Sequence, residues 1–164
     1  MPNSSIISSL KDVVIESMVK NEALFYAIDS PTIKDFKNSS ELAYTHIFPY
    51  DQNPETIKDA TTIITIEVDI LESYGKSQEW VKPTLIIKII SNEKRMKVSN
   101  IPKVTANRND YISQLIDNML NGRMDLGYGP LTLFRNIGES FMKGYLYRTM
   151  IFKTQDFNDS LCGK

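Results

Sequence analysis

Glu67 and Asp69 are the first residues in this chain whose types and spacing could do chemistry. They sit two apart in a stretch that alternates apolar and polar residues, so a strand would carry both carboxylates on one face. Such a pair could hold a divalent cation or share acid–base work. No third acid clusters with them on that face and no histidine lies close by in sequence, so the plainer reading is a solvated or subunit-facing side of a strand. The lone His46 and lone Cys162 rule out a His-rich or Cys-rich metal centre. A Cys–His nucleophile pair would need Cys162 held firmly beside the C-terminus, a poor place for it, and His46 reads as a packed or interfacial side chain. Gly127-Tyr128-Gly129-Pro130 has two glycines, but the proline removes a backbone donor that a phosphate cradle would use, so it reads as a turn. No phosphate loop or dinucleotide fingerprint is present, and the sequence predicts no enzyme and no cofactor.

Two further groups suggest recognition. Lys94, Arg95, Lys97, Lys103 and Arg108 form a basic run with Glu93 as its acid. It reads as a solvated loop, or as a contact with DNA or with an acidic neighbour such as Glu67 of another subunit. No aromatics interleave it, which argues against a stacking groove for single strands. Late in the chain Phe134, Phe141, Met142, Tyr145, Tyr147, Met150 and Phe152 cluster around Arg148. Alternation cannot bury both faces of such a segment in a thin domain, so some of these belong to the core and the rest to subunit contacts.

The elements that must position these residues follow from periodicity. The chain of 164 residues, 41% hydrophobic and 24% charged, fits one globular domain with a free tail over 158–164. Its net charge of −1 argues against a dedicated nucleic-acid binder. The opening Met1-Pro2-Asn3-Ser4-Ser5 predicts no export signal, and no apolar run is long enough to span a bilayer.

Ser4 or Ser5 can cap a helix whose apolar face is Ile7, Leu10, Val14 and Met18. A second short helix follows Asn21, with Leu24, Phe25 and Ile28 inward, and Asp29-Ser30-Pro31 stops it. Thr32 to Pro54 reads as an irregular connection ending in an extended piece, His46 to Tyr50. Thr61–Leu71 and Lys82–Ile90 alternate as strands, joined by a polar loop over Glu72 to Trp80. Asn107–Asn121 is the clearest helix, with Tyr111, Leu115 and Met119 central to its stripe and Ile112, Ile116 and Leu120 flanking. Leu131–Asn136 and Lys143–Thr154 read as two more strands. The expected fold is α+β: a mainly antiparallel sheet of about four strands with helices packed on one face.

This layout resembles the tail-terminator and neck proteins that join head to tail in tailed bacteriophages. The resemblance rests on Asn21-Glu22-Ala23-Leu24 closing the first helix, Ile47-Phe48-Pro49 ahead of the Ile63 to Ile70 strand, and Leu85 to Ile89. It continues through the helix opened by Asn107-Arg108-Asn109-Asp110 to the late strand Tyr147–Thr154. It spans nearly the whole chain by layout, with no single diagnostic motif.

The resemblance implies a virion protein, assembled in the host cytoplasm as a cyclic ring of identical copies in the neck. A connector or adaptor protein would lie above it and a tail-tube protein below, with double-stranded DNA passing through the lumen without specific binding and no membrane involved. It makes the Glu72 to Trp80 loop and the Asn92 to Thr105 segment the best candidates for contacts with the next rings. With the residue-type reading above, the candidate contacts between subunits or neighbouring rings are Glu67, Asp69, Trp80, Lys94, Arg95, Lys97, Lys103, Tyr145, Tyr147 and Arg148. The opposite charges of Glu67 and Asp69 and of the Lys94 to Lys103 run would suit the two unlike patches of a heterologous interface. The rival readings are another virion component, such as a head-completion or tail-tube-associated protein, a small metal-dependent nucleic-acid enzyme built on Glu67 and Asp69, and a monomeric adaptor.

Overall fold

The computed structural model describes residues 4–56, 62–75, 80–127, 129–142 and 144–157. Cys162 and the expected tail over 158–164 lie outside them. The chain runs α1 (Ser4–Val19), α2 (Glu22–Ile28), a 3-10 turn (Phe36–Leu42), β1 (Ile47–Phe48), β2 (Thr62–Tyr74) and β3 (Trp80–Asn92). After β3 come α3 (Arg108–Leu120), β4 (Thr132–Met142), β5 (Tyr145–Lys153) and the short β6 (Asp156–Phe157).

The strands form one sheet in the order β1-β2-β3-β5-β4, with β6 pairing the start of β3. Every pairing is antiparallel except β1 with β2. The α+β class and the mainly antiparallel sheet are as expected from the sequence. The strand count is higher, because the two-residue pieces β1 and β6 are too short to leave a periodic signal.

The three helices cover one face. Alternation puts Ile64, Ile66 and Val68 of β2 beside Leu85, Ile87 and Ile89 of β3 on that face, with Met150 and Phe152 of β5 next to them. Leu10, Val14, Ile15 and Met18 of α1, Leu24, Phe25 and Ile28 of α2, and Ile112, Ile116 and Leu120 of α3 close over them as one core. Each such side chain contributes about 1.5–3 kcal/mol by leaving water.

Local chemistry sets the helix ends. The Asn21 side chain accepts from the Leu24 amide at 2.9 Å, and Asp29 ends α2 in the left-handed region (φ 53°). Asn107 accepts from the Asp110 amide at 2.9 Å and opens α3. Gly122, at φ +84°, turns the chain after α3, as the Asn121-Gly122 pair predicts.

Several boundaries differ from the sequence reading. The two ends of the Glu72 to Trp80 segment are strand rather than loop: β2 runs on to Tyr74 and β3 begins at Trp80, paired with each other across a register shift, while 76–79 lie outside the described residues. Hydrogen bonding to a partner strand carries this ladder through polar residues. The strand read as Leu131–Asn136 extends to Met142 for the same reason. The stripe of α3 is rotated: Ile112, Ile116 and Leu120 are buried, while Tyr111, Leu115 and Met119 sit at its margin. The N-terminal half of β2 is buried on both faces, because Phe48 packs over Ile63 and Ile90 on the side away from the helices.

Arg108 departs furthest from expectation. Read as part of an exposed basic run, it is 1% exposed. Its guanidinium donates to the carbonyls of Arg95 (2.8 Å) and Ala27 and faces the Asp29 carboxylate at 3.6 Å. It is a structural tie between α2, α3 and the segment after β3.

Candidate functional site

Among the described residues the helices cover one face only, so the other face of the sheet and its two borders are where this fold can meet something. The register defines that face. Asp69, Thr84 and Lys153 stand side by side at one end, then Ile86 with Ile151 and Arg135. Lys88, Thr149 and Ile137 follow, and then Ile90, Tyr147 and Glu139 at the far end.

Two grooves lie on it. The first, about 360 Å³, runs between the Asp51–Pro54 segment and Lys88, Glu139, Tyr147 and Thr149. Asp51 bonds Lys88 at 2.9 Å and holds that segment over the sheet. Burial, with Asp51 and Glu55 nearby, pushes the Tyr147 phenol above its ordinary pKa. The second groove, about 700 Å³, includes Asp69, Lys82, Ile86, Ile151, Lys153 and Phe134. Phe134 is 64% exposed, with the Lys153 ammonium 3.6 Å from its ring centre.

The borders of the sheet are unlike. At one, β4 pairs β5 on its inner side and has no strand partner on its outer side among the described residues. At the other, β1 covers only Ile64 and Thr65 of β2, so the rest of β2 is also an edge among the described residues. Exposed Tyr44 and Tyr50 sit near the β1 border, their rings 6.5 Å apart, with Tyr50 also 5.6 Å from Phe48.

The residues singled out from the sequence scatter over this frame. Glu67 is engaged within the chain: Lys11 of α1 reaches round the border to bond it at 2.7 Å, and its other oxygen accepts from the Asp51 amide at 3.0 Å. Lys11 also donates to the Pro49 carbonyl at 2.7 Å. Asp69 is exposed on the open face. Trp80 opens β3 opposite Tyr74 and Phe157. Lys94, Arg95, Lys97 and Lys103 are all exposed, beyond the end of β3 at Asn92. Asp69 stands opposite Thr84, near the start of β3, so about 25 Å of strand separates it from the basic run within one copy.

Tyr145 and Tyr147 lie on the open face against Phe48, Ile63 and Ile90. Arg148, one residue on, faces the helices, where it pairs with Asp110 and donates to Asn136 at 2.9 Å. The sequence did not mark Lys11, Asp51 or Arg135, which acquire their places only through long-range pairing. Among the described residues no three His, Cys, Asp or Glu side chains gather as a metal site, and no helix is long and apolar enough to cross a membrane.

No curated protein matches the chain. The model of one protein family, YomW, matches residues 21–154, from the cap of α2 to the end of β5, leaving out α1 and β6. The chain therefore belongs to the YomW family.

Proposed function

We propose that this protein is a structural component of a tailed-phage particle, a subunit that assembles with copies of itself into a ring at the tail-terminator position of the neck. The observation that carries this reading is the pair of unlike borders on one sheet: the long outer side of β4 and the partly uncovered β2. A heterologous contact needs two different patches of one subunit, and repeating such a contact about an axis closes a ring. Unpaired strand edges are templates for pairing with another chain. The prophage style of the family's name supports a phage origin.

In this reading a connector protein meets one rim of the ring, a tail-tube protein meets the other, and double-stranded DNA passes through the lumen. The exposed Lys94, Arg95, Lys97 and Lys103 serve the contacts between subunits or rings. The alternative of a metal-dependent enzyme would require Glu67 to be available, and Glu67 is held by Lys11 and the Asp51 amide. Hydrogen exchange on the assembled protein tests the edge contact: the outward amides of β4 are expected to slow on assembly. Unchanged exchange there in an assembled particle would contradict it.

A further inference from the structure

The open face of the sheet is complementary to itself. Its two central rows carry half-buried Ile86 on β3, Ile151 on β5 and Ile137 on β4. Glu67 and Arg135 stand beside the first two, and Lys88, paired with Asp51, beside the third. Among the described residues one end leans basic, with Lys82, Lys153 and Arg135 beside Asp69 and beside Glu67, which Lys11 already engages. Among the described residues the other end leans acidic, with Glu55 and Glu139 near Tyr147 and Asp51 bound to Lys88. Isoleucines at the centre with unlike charge toward the two ends suit a protein interface.

We propose that this face binds the same face of a second copy through a two-fold axis lying across the strands. Rotation about such an axis sets β5 over β5 with the strand directions opposed. With the axis at the Thr149 row, Arg135 of each copy lies over Glu139 of the other, and Ile86 and Ile151 lie over Ile90 and Tyr147. Ile137 meets its own copy, as does Lys88, which Asp51 neutralises. A two-fold contact is isologous, so each favourable charge pairing occurs twice. The alternative axis, along the strands, would lay the basic end on the basic end and the acidic end on the acidic end. Charge thus selects one of the two alignments as well as the partner.

Four strands about 4.8 Å apart and nine residues at about 3.3 Å give a face of roughly 19 by 30 Å. That lies somewhat below the roughly 800 Å² per partner of a standard interface, which fits a reversible dimer. The contact uses the face of the sheet and leaves both borders open, so it does not depend on the ring.

The test is a cross-link together with a charge reversal in the full chain. Thr149 lies beside the two-fold axis, so T149C in a C162S background should form a disulfide with its own copy under mild oxidation, seen as a dimer on a non-reducing gel. In sedimentation experiments, R135E with K153E should weaken the dimer at least tenfold, and adding E55K with E139K should restore it. Circular dichroism identifies any variant that fails to fold. A folded T149C protein that does not cross-link, or a dimer indifferent to the R135E and K153E reversal, would overturn the proposal. Assembly into rings without the cross-link would overturn it too, while leaving the edge contact standing.

Discussion

Arg108 and Asp29 face one another at 3.6 Å across the seam between α3 and the end of α2, with the guanidinium almost wholly out of water. Burial pulls the Arg108 pKa below its usual value and Asp29 counters that, so the charge is retained and compensated locally. The Ala27 and Arg95 carbonyls take two further donors of the same group.

Removing that group should therefore cost far more than a surface arginine would. Arg108→Met is expected to lower stability by about 3 kcal/mol, because it takes away the buried donor of two carbonyls and the cation that faces Asp29. Urea unfolding measures this, and a loss below about 1 kcal/mol would show the tie to be dispensable.

His46 supplies a dependence on pH. It is 4% exposed, and its Nε2 has no hydrogen-bond partner among the described residues. Burial lowers its pKa from the ordinary 6.5. Below that value the unfolded chain binds a proton that the folded chain resists, so stability should be full above pH 6.5 and fall as pH drops, by at most about 1.4 kcal/mol per pH unit. His46→Phe should flatten the difference in urea midpoint between pH 7.5 and 5.5, and an unchanged slope would place its origin elsewhere.

Much of this frame was legible in sequence, because it rests on periodicity. The alternation of Ile64, Ile66 and Val68 and of Leu85, Ile87 and Ile89, and the cap at Asn107, depend on near neighbours only. Arg108 was not legible, since its partners Ala27 and Asp29 lie far away in sequence and only the fold brings them to it. Glu67 looked like half of an acidic pair for the same reason: Lys11, its partner, is in α1. Polar strand residues such as those at the end of β2, up to Tyr74, carry no period that separates them from a loop. The open face was half legible, as the tyrosines stood out while the 51–54 segment lying over the sheet did not.

Glu67 should hold the segment after β1 in place. Glu67→Ala is expected to cost about 1–2 kcal/mol and to speed hydrogen exchange at the Asp51 amide, which loses its acceptor. Exchange there equal to that of the unaltered protein would contradict the assignment.

Two glycines should separate close packing from backbone strain. A Cβ at Gly127 would come within 2.8 Å of the Thr154 hydroxyl and 2.9 Å of the Gln155 carbonyl, so Gly127→Ala must shift backbone, at about 1–3 kcal/mol. Gly122 has open space but sits at φ +84°, and Gly122→Ala should cost about 1 kcal/mol through strain alone. Thermal unfolding of both variants measures the difference, and equal losses would deny the close approach at Gly127.

The basic segment after β3 should matter to assembly and little to folding, since Lys94, Arg95 and Lys97 are exposed. Reversing all three to glutamate is expected to weaken self-association about tenfold, three exposed charge pairs at about 0.5 kcal/mol each. Light scattering on the variant checks this, and intact assembly would remove the segment from the subunit contact.

The central claim is that the chain closes on copies of itself, and the native mass measured by light scattering across concentration, with negative-stain imaging of the large species, tests it most directly. The account predicts a discrete oligomer with a central hole. A monomer at every concentration, or a two-fold dimer and nothing larger, would contradict it.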